Sequence, residues 1–119
     1  MGGRGRRVAN VNYEAAVKIA LSLPEAELNS SARGISVKVK GRMLFCEATH
    51  RSAETGSIVL RIAPEERDRW IAAHPDVCYV TEHYTGYPSM LVRLGPVERA
   101  TLLELFNASW YFVNAGASR

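Results

Sequence analysis

Hydrophobic and polar residues recur along this chain with two different periods, and the changes between the two predict the order of its elements. From Tyr13 to Leu23, apolar residues fall three and four positions apart, so that one face of a helix would be apolar. Asn12 can cap this helix at its start, and Pro24 ends it. The stretch Glu25–Gly34 is polar and has no period, and we expect it to be a connecting loop.

The next three segments alternate between apolar and polar residues, which is the pattern of strands with one buried face. Ile35–Lys40 places a β-branched residue at every second position, and Gly41-Arg42 can turn the chain into a returning strand at Met43–Ala48. After a polar loop at Thr49–Gly56, the alternation resumes at Ser57–Ile62. These segments predict three strands, of which the first two are joined by a tight turn.

Proline and glycine divide the second half of the chain. Pro64 suits the first position of a helix that ends before Pro75, and Val77–Glu82 predicts a fourth strand. Thr85–Pro88 has the composition of a turn, and Ser89–Leu94 alternates as a fifth strand.

A last helix, starting at Gly95-Pro96, completes the order α-β-β-β-α-β-β-α. Its apolar stripe contains Leu102, Leu105, Phe106, Ser109 and Val113. Short turns between consecutive strands favour antiparallel hairpins. We therefore expect a single two-layer α+β domain at residues 10–116, with a mainly antiparallel five-stranded sheet, helices packed on one face and the other face more exposed.

The composition bounds the class of protein. At 119 residues, of which 47% are hydrophobic, the chain can bury one core without disulfides or metal ions. No apolar run approaches the ~20 residues of a membrane span, and no apolar stretch follows the basic first residues as in a secretory signal. Cys46 and Cys78 are most simply reduced thiols, so we expect a cytoplasmic protein.

The net charge of +3 does not by itself indicate a nucleic-acid partner. Three of the 15 Lys and Arg residues lie in the segment 1–9, which we expect to be a disordered basic tail, and the remaining 12 balance the 12 Asp and Glu. A local excess does exist from Arg33 to Arg51, where five basic residues accompany one acid, Glu47. Only a local patch of this kind supports binding to phosphates.

Strand alternation would put such charges on the exposed face of the sheet. If Ile35, Val37 and Val39 face the helices, the basic residues of the strands face outward. The candidate nucleic-acid contacts are Lys38, Lys40, Arg42, Arg61 and Arg93. The alternative is that these residues only keep an open sheet solvated and discourage edge-to-edge association.

Several short segments carry a family resemblance. The strongest is His83–Pro88 followed by Leu91–Leu94, and the others are Ala20–Glu27, Val39–Arg42, Glu65–Arg67 and Ala108–Trp110. In this order and spacing they resemble the MmcQ/YjbR family of small bacterial proteins, which are often described as DNA-binding. The resemblance covers about Tyr13 to Val113, and it implies an α-β3-α-β2-α fold and a DNA-binding function.

The chain departs from that family in its second strand. The family usually has an aromatic and a small residue soon after the turn, where this chain has Met43-Leu44-Phe45-Cys46. Two registers one residue apart therefore stay open for strand 43–48, and they bury opposite faces. Phe45 is also the one aromatic residue of the early strands that could stack on bases, which is few for a binder of single strands.

The remaining candidate sites are weaker, and they favour a protein that is not an enzyme. His83, Tyr84 and Tyr87 could form a small polar pocket or a packed turn. No metal-ligand spacing, phosphate loop or nucleophile elbow occurs, and we expect no metal and no cofactor. The leading interpretation is a module that contacts DNA phosphates without sequence readout. The alternative is a protein-interaction or chaperone-like module, or a homodimer, centred on exposed Val59 and Leu91.

Overall fold

The computed structural model describes residues 11–116. The helices are α1 (Tyr13–Ala20), α2 (Pro64–Ala73), α3 (Glu82–Thr85) and α4 (Arg99–Gly116). The strands are β1 (Ala26–Ser31), β2 (Gly34–Val39), β3 (Arg42–Glu47), β4 (Ser57–Arg61), β5 (Cys78–Tyr79) and β6 (Ser89–Arg93). The predicted basic tail, residues 1–9, lies outside the described residues.

The strands form one antiparallel sheet in the order β1-β2-β3-β4-β6-β5, which confirms the predicted α+β class. The sheet has six strands, whereas five were predicted. The additional strand is β1, so the loop expected at Glu25–Gly34 was wrong. Its residues pair one by one with β2, from Ala26 opposite Val39 to Ser31 opposite Gly34. An edge strand of this kind is held by backbone hydrogen bonds and buries little, so hydropathy does not reveal it.

The core lies between the sheet and the helices α1 and α4, on what we call the inner face. The predicted stripe of α4 is fully or almost fully buried, which confirms it: Leu102, Leu105, Phe106, Ser109 and Val113. Phe106 stacks on Phe45 of β3 with ring centroids 4.9 Å apart. Alternate residues of the central strands complete this core, among them Val37, Leu60 and Val92.

Two helices begin where the sequence predicts and for the predicted chemical reason. The Asn12 side chain accepts a hydrogen bond from the Ala15 amide at 2.8 Å, which caps α1. Helix α2 begins at Pro64. Helix α4 begins at Arg99 rather than at Gly95-Pro96, so proline there precedes the helix instead of opening it.

Strand β3, the second predicted strand, contains a β-bulge that accounts for both registers left open by the sequence. Val37 pairs with Phe45, but Lys38 pairs with Met43, so that Leu44 is an extra residue in β3. Leu44 and Phe45 are both completely buried, because the bulge reverses the side-to-side alternation at this point. Both registers therefore occur, one on each side of Leu44, and Met43 and Cys46 are both left on the opposite, outer face.

The fourth predicted strand is much shorter than expected. Val77–Glu82 was predicted as a strand, but only Cys78 and Tyr79 pair with β6, and a short helix, α3, occupies Glu82–Thr85. Strand β6 lies between β4 and β5.

Candidate functional site

Three of the predicted basic residues share the outer face of the sheet. Lys38 follows the buried Val37, Arg61 follows the buried Leu60, and Arg93 follows the buried Val92. Since consecutive strand residues point to opposite faces, all three side chains leave the sheet on its outer face. Ile35 departs from the expected pattern, because it is 45% exposed although Val37 and Val39 are buried.

Lys40 and Arg42 lie at the end of the sheet, in and beside the turn between β2 and β3. Lys40 has a positive φ of 53°, and its ammonium lies 3.4 Å from the Glu25 carboxylate. Both side chains of this pair are at least half exposed, so the attraction is weak, but the Lys40 charge has a partner. Arg42 is exposed and forms no ion pair with another described residue.

Arg93 is engaged by the protein itself. Its Nε and Nη2 donate to the two oxygens of Glu54 at 2.7 and 2.8 Å, and Nη1 donates to the Pro75 carbonyl at 3.2 Å. The guanidinium also lies 4.1 Å from the centre of the Tyr79 ring. The hydrogen bond with Arg93 lowers the pKa of Glu54 and raises that of Arg93. Three of the five N–H donors of Arg93 thus have acceptors within the protein, which disfavours Arg93 as a phosphate contact.

Tyr79 of β5 forms hydrogen bonds with the loop between β3 and β4 and with the start of β4. The Tyr79 hydroxyl hydrogen-bonds the Ser57 hydroxyl at 2.7 Å and accepts from the Glu54 amide at 2.8 Å. On the same face, Val59 is 8% exposed and Leu91 is completely buried. The expectation that these two residues form an exposed apolar centre was therefore wrong. We call the outer face over residues 57–59 of β4, over β6 and over β5 the covered half.

The predicted cluster His83, Tyr84 and Tyr87 does come together, with His50 as a fourth member that the sequence did not reveal. The His50 and His83 rings stack with centroids 3.5 Å apart, and the Tyr84 ring meets His83 edge-on at 4.8 Å. Loss of hydration, then the charges of His83 and Arg51, lowers the pKa of His50. These rings pack on one another, which favours the packed turn over the polar pocket.

We call the outer face over β1, β2 and β3, together with Arg61 at the end of β4, the open half. It contains a groove of about 260 Å³. Asn29, Arg33, Lys38, Cys46 and Glu47 line it, together with serine and threonine hydroxyls. Burial and then Glu47 raise the pKa of the Cys46 thiol, while the charges of Arg33 and Arg61 lower it. Both guanidinium groups therefore lie close enough to Cys46 to act on its charge.

Arg33 is a residue that the sequence placed in the basic run but did not select. We call Arg33, Lys38, Arg42 and Arg61 the basic cluster. None of the four forms an ion pair with another residue in the range 11–116. Glu27 lies directly opposite Lys38 on β1, and Glu47 lines the groove, so the surface is mixed rather than uniformly positive.

Phe45 is not available to stack on bases. It is completely buried on the inner face, where it packs against Phe106 and Tyr13. The residues that line the groove include no aromatic side chain. The open half therefore offers charge and hydrogen bonds without a platform for bases.

The described part of the chain has neither a membrane-spanning helix nor a cluster of metal-ligating side chains. Within residues 11–116, no helix is both long and apolar enough to cross a membrane. In the same range, His, Cys, Asp and Glu side chains do not assemble in groups of three or more as a metal site requires. Cys46 and Cys78 are both free thiols.

The comparisons with known proteins support the fold. No protein-family profile matches the chain. A crystal structure of the Deinococcus radiodurans protein DR2400, which carries a DUF419 domain, superposes with a TM-score of 0.65 over 91% of this chain and 82% of that one. The two sequences are 21% identical. This likeness shows a shared fold.

Sequence relatives match over a shorter stretch. The chain is 45% identical over 40 residues to the uncharacterised proteins Rv2570 of Mycobacterium tuberculosis and Mb2600 of Mycobacterium bovis. The match covers 34% of this chain and 31% of each relative. The chain thus matches about a third of the length of these curated relatives.

Proposed function

We propose that this protein is a non-enzymatic, cytoplasmic module of the MmcQ/YjbR type that binds DNA through its phosphates. The proposal rests on the resemblance of the segments around His83–Pro88 and on the fold shared with a DUF419 domain. The site would be the basic cluster, which replaces the predicted set that included Lys40 and Arg93. Lys40 is offset by Glu25 and Arg93 is bonded to Glu54.

One observation carries the proposal: Lys38 and Arg61 stand on the same open surface without an acidic ion-pair partner among the described residues. Lys38 is paired with Met43 across β2 and β3, and Arg61 lies on the next strand. Neighbouring strands are about 4.8 Å apart, so β2 and β4, on either side of β3, are roughly 10 Å apart and both charges lie on one surface. Phosphates would supply the counter-charge that the protein itself does not.

The chemistry of the groove favours backbone contact over base recognition. Lysine and arginine bind phosphate oxygens, and such contacts carry no sequence information. Without aromatic side chains in the groove, there is no platform for unstacked bases. We therefore expect weak, salt-sensitive binding to duplex DNA with little dependence on its sequence.

The test is DNA affinity as a function of salt, measured on the full chain. Lys38→Gln/Arg61→Gln removes two charges of the basic cluster, and Lys18→Gln/Arg69→Gln is the charge-matched control from α1 and α2. Each lost phosphate contact should reduce the slope of log affinity against log salt by about 0.9. We expect a reduction of about 2 in the first variant and no change in the control.

The basic tail needs its own control, since it lies outside the described residues and can bind DNA by itself. Arg4→Gln/Arg6→Gln/Arg7→Gln leaves the domain intact and removes the three charges of the tail. If this variant shows no DNA binding even at low salt, the proposal is wrong, because the domain would then contribute nothing.

A second candidate function, protein association, is favoured by a different surface. Strand β1 is an edge of the sheet, and next to that edge Leu28 and Ile35 are 53% and 45% exposed. A second copy or another protein could pair with this edge and cover both residues. If so, light scattering should detect a dimer that Leu28→Lys abolishes. A monomer at all concentrations would remove the homodimer form of this candidate.

A further inference from the structure

A cavity of about 280 Å³ opens at the end of the sheet where β3 begins and β4 ends. Two strand residues with guanidinium groups, Arg42 and Arg61, line it beside Met43. The remaining walls are residues of the last turns of α4: Phe112, Val113 and Gly116. Among residues 11–116, no acidic side chain lines the cavity.

Arg61 is the less satisfied of the two arginines. Its Nε has almost no contact with solvent and has no hydrogen-bond acceptor among the described residues. The Nε of the buried Arg67 also has no acceptor among the described residues. The two arginines differ in that Arg67 Nη1 donates to the carbonyls of Thr85, Tyr87 and Ser89. A buried donor without an acceptor costs free energy, which an incoming acceptor would recover.

The walls of the cavity define what kind of ligand would fit. Two guanidinium groups on one small cavity suit a doubly charged oxyanion, since each can donate a pair of parallel hydrogen bonds. A carboxylate carries one charge, whereas a phosphate monoester carries about −1.5 to −2 at neutral pH. Met43, Phe112 and Val113 add an apolar surface that bare phosphate would leave unused.

We propose that this cavity binds a small phosphate monoester, with the phosphate on Arg42 and Arg61 and the organic group against Phe112 and Met43. The end of α4 contributes partial negative charge from its last carbonyls. That charge helps to hold the arginines in place and limits the affinity for anions. The site therefore depends on the two-point contact of both guanidinium groups.

The cavity shares Arg42 and Arg61 with the basic cluster, but Arg33 and Lys38 do not line it. This difference separates the two proposals. A free monoester needs only the cavity, whereas a DNA backbone would also contact the groove. A terminal phosphate of DNA is a second source of the same chemical group, and duplexes with and without a 5′-phosphate distinguish it from a free monoester.

The experiment is a titration of the full chain with phenyl phosphate, inorganic phosphate and benzoate, followed by the NMR signal of the Arg61 Nε–H. We expect phenyl phosphate to shift this signal and to bind about tenfold more tightly than benzoate. Inorganic phosphate should compete for the site but bind more weakly than phenyl phosphate. No shift with phenyl phosphate, or equal binding of benzoate, would overturn the proposal.

Two variants with one control establish the location. Arg42→Gln and Arg61→Lys should each weaken phenyl phosphate binding by about tenfold, since Lys keeps the charge but loses the paired donors. Arg51→Gln, at an exposed loop position outside the cavity, should have no effect. Equal losses in all three variants would mean non-specific attraction and would also overturn the proposal. Circular dichroism and thermal unfolding check that each variant is folded.

The failures of the two proposals can be told apart with Arg33→Gln/Lys38→Gln. This variant should lose DNA affinity and keep phenyl phosphate binding. If phenyl phosphate binds to the full chain but DNA does not, the cavity proposal stands and the DNA proposal fails. If DNA binds through the groove while phenyl phosphate does not shift Arg61, the cavity proposal fails alone.

Discussion

The covered and open halves of the outer face both carry outward-facing basic residues, but the surroundings of these residues differ. In the covered half, Arg93 is bonded to Glu54, which lies 39 residues earlier in the sequence. In the open half, Lys38 and Arg61 have no ion-pair partner among the described residues. Alternation along a strand determines which face a charge leaves from, but a loop from a distant part of the chain decides whether it stays available.

The difference between the two halves indicates which of them is the better candidate for binding. In the covered half, Val59 and Leu91 are buried and Arg93 is paired with Glu54. Its residues stabilise the fold. The open half contains the polar groove, lined by Arg33 and Lys38 among others, so a substitution there should change binding with little effect on stability.

The largest expected difference between the halves is in packing. Leu91→Ala in the covered half should lower the free energy of unfolding by about 2–5 kcal/mol, because it removes buried methyl groups and leaves a cavity. Met43→Ala, at a partly exposed position of the open half, should cost less than about 1.5 kcal/mol. Urea unfolding of both variants measures the difference. Equal losses would contradict the division of the outer face into two halves.

The sequence predicted the inner face better than the outer one, and the reason is physical. Burial on the inner face follows from periodic apolar residues, so the stripe of α4 with Leu102 and Val113 was correct. Strand β1 and the bulge at Leu44 depend on backbone pairing, which hydropathy does not record. The contact of Tyr79 with Ser57 joins residues far apart in the chain, and hydropathy does not record such contacts either.

The sequence predicted only part of the candidate site, because strand alternation does not record contacts between distant residues. Strand alternation placed Lys38, Arg61 and Arg93 on one face, and the structure agrees. It could not separate Arg93 from the other two, because the sequence does not say that Glu54 would reach it. Nor could it show that Arg33 at the β1–β2 turn would join the groove.

The second expected difference concerns the two arginines. Arg93→Gln should lower the free energy of unfolding by about 1–2 kcal/mol, from loss of the bond to the Pro75 carbonyl and the contact with the Tyr79 ring. Arg61→Gln should leave stability nearly unchanged, because Arg61 has no acceptor to lose among the described residues. DNA affinity should respond in the opposite order. If Arg93→Gln weakens DNA binding more than Arg61→Gln does, Arg93 belongs to the binding site after all.

A third difference is the pH dependence of stability. The hydrogen bond from Arg93 lowers the pKa of Glu54, so the folded state holds its proton less tightly than the unfolded chain does. The contribution of this pair is therefore present above the ordinary glutamate pKa of 4.5 and is lost as the pH falls through the lowered value. Glu54→Gln should reduce the loss of melting temperature between neutral and acidic pH. Glu25→Gln, which affects the exposed pair with Lys40, should change it less.

The smallest expected effect is on the reactivity of the two thiols. Cys78 is completely buried, and burial raises its pKa to about 12. Cys46 lines the groove of the open half and is partly exposed; its pKa is also raised, by burial and Glu47. Because the thiolate is the reactive form, both should react slowly near neutral pH, and Cys46 should react first. A coloured disulfide reagent, used on the full chain and on Cys46→Ser, measures each rate.

Ligand protection of Cys46 then connects reactivity to the basic cluster. The charges of Arg33 and Arg61 act on this thiol, so a phosphate backbone held by them would lie over it and block the reagent. Duplex DNA at low salt should therefore slow the reaction of Cys46, and added salt should restore the rate. Cys78 should stay unreactive until the protein unfolds, with or without DNA. A Cys46 rate that DNA does not change would place any DNA contact outside the groove.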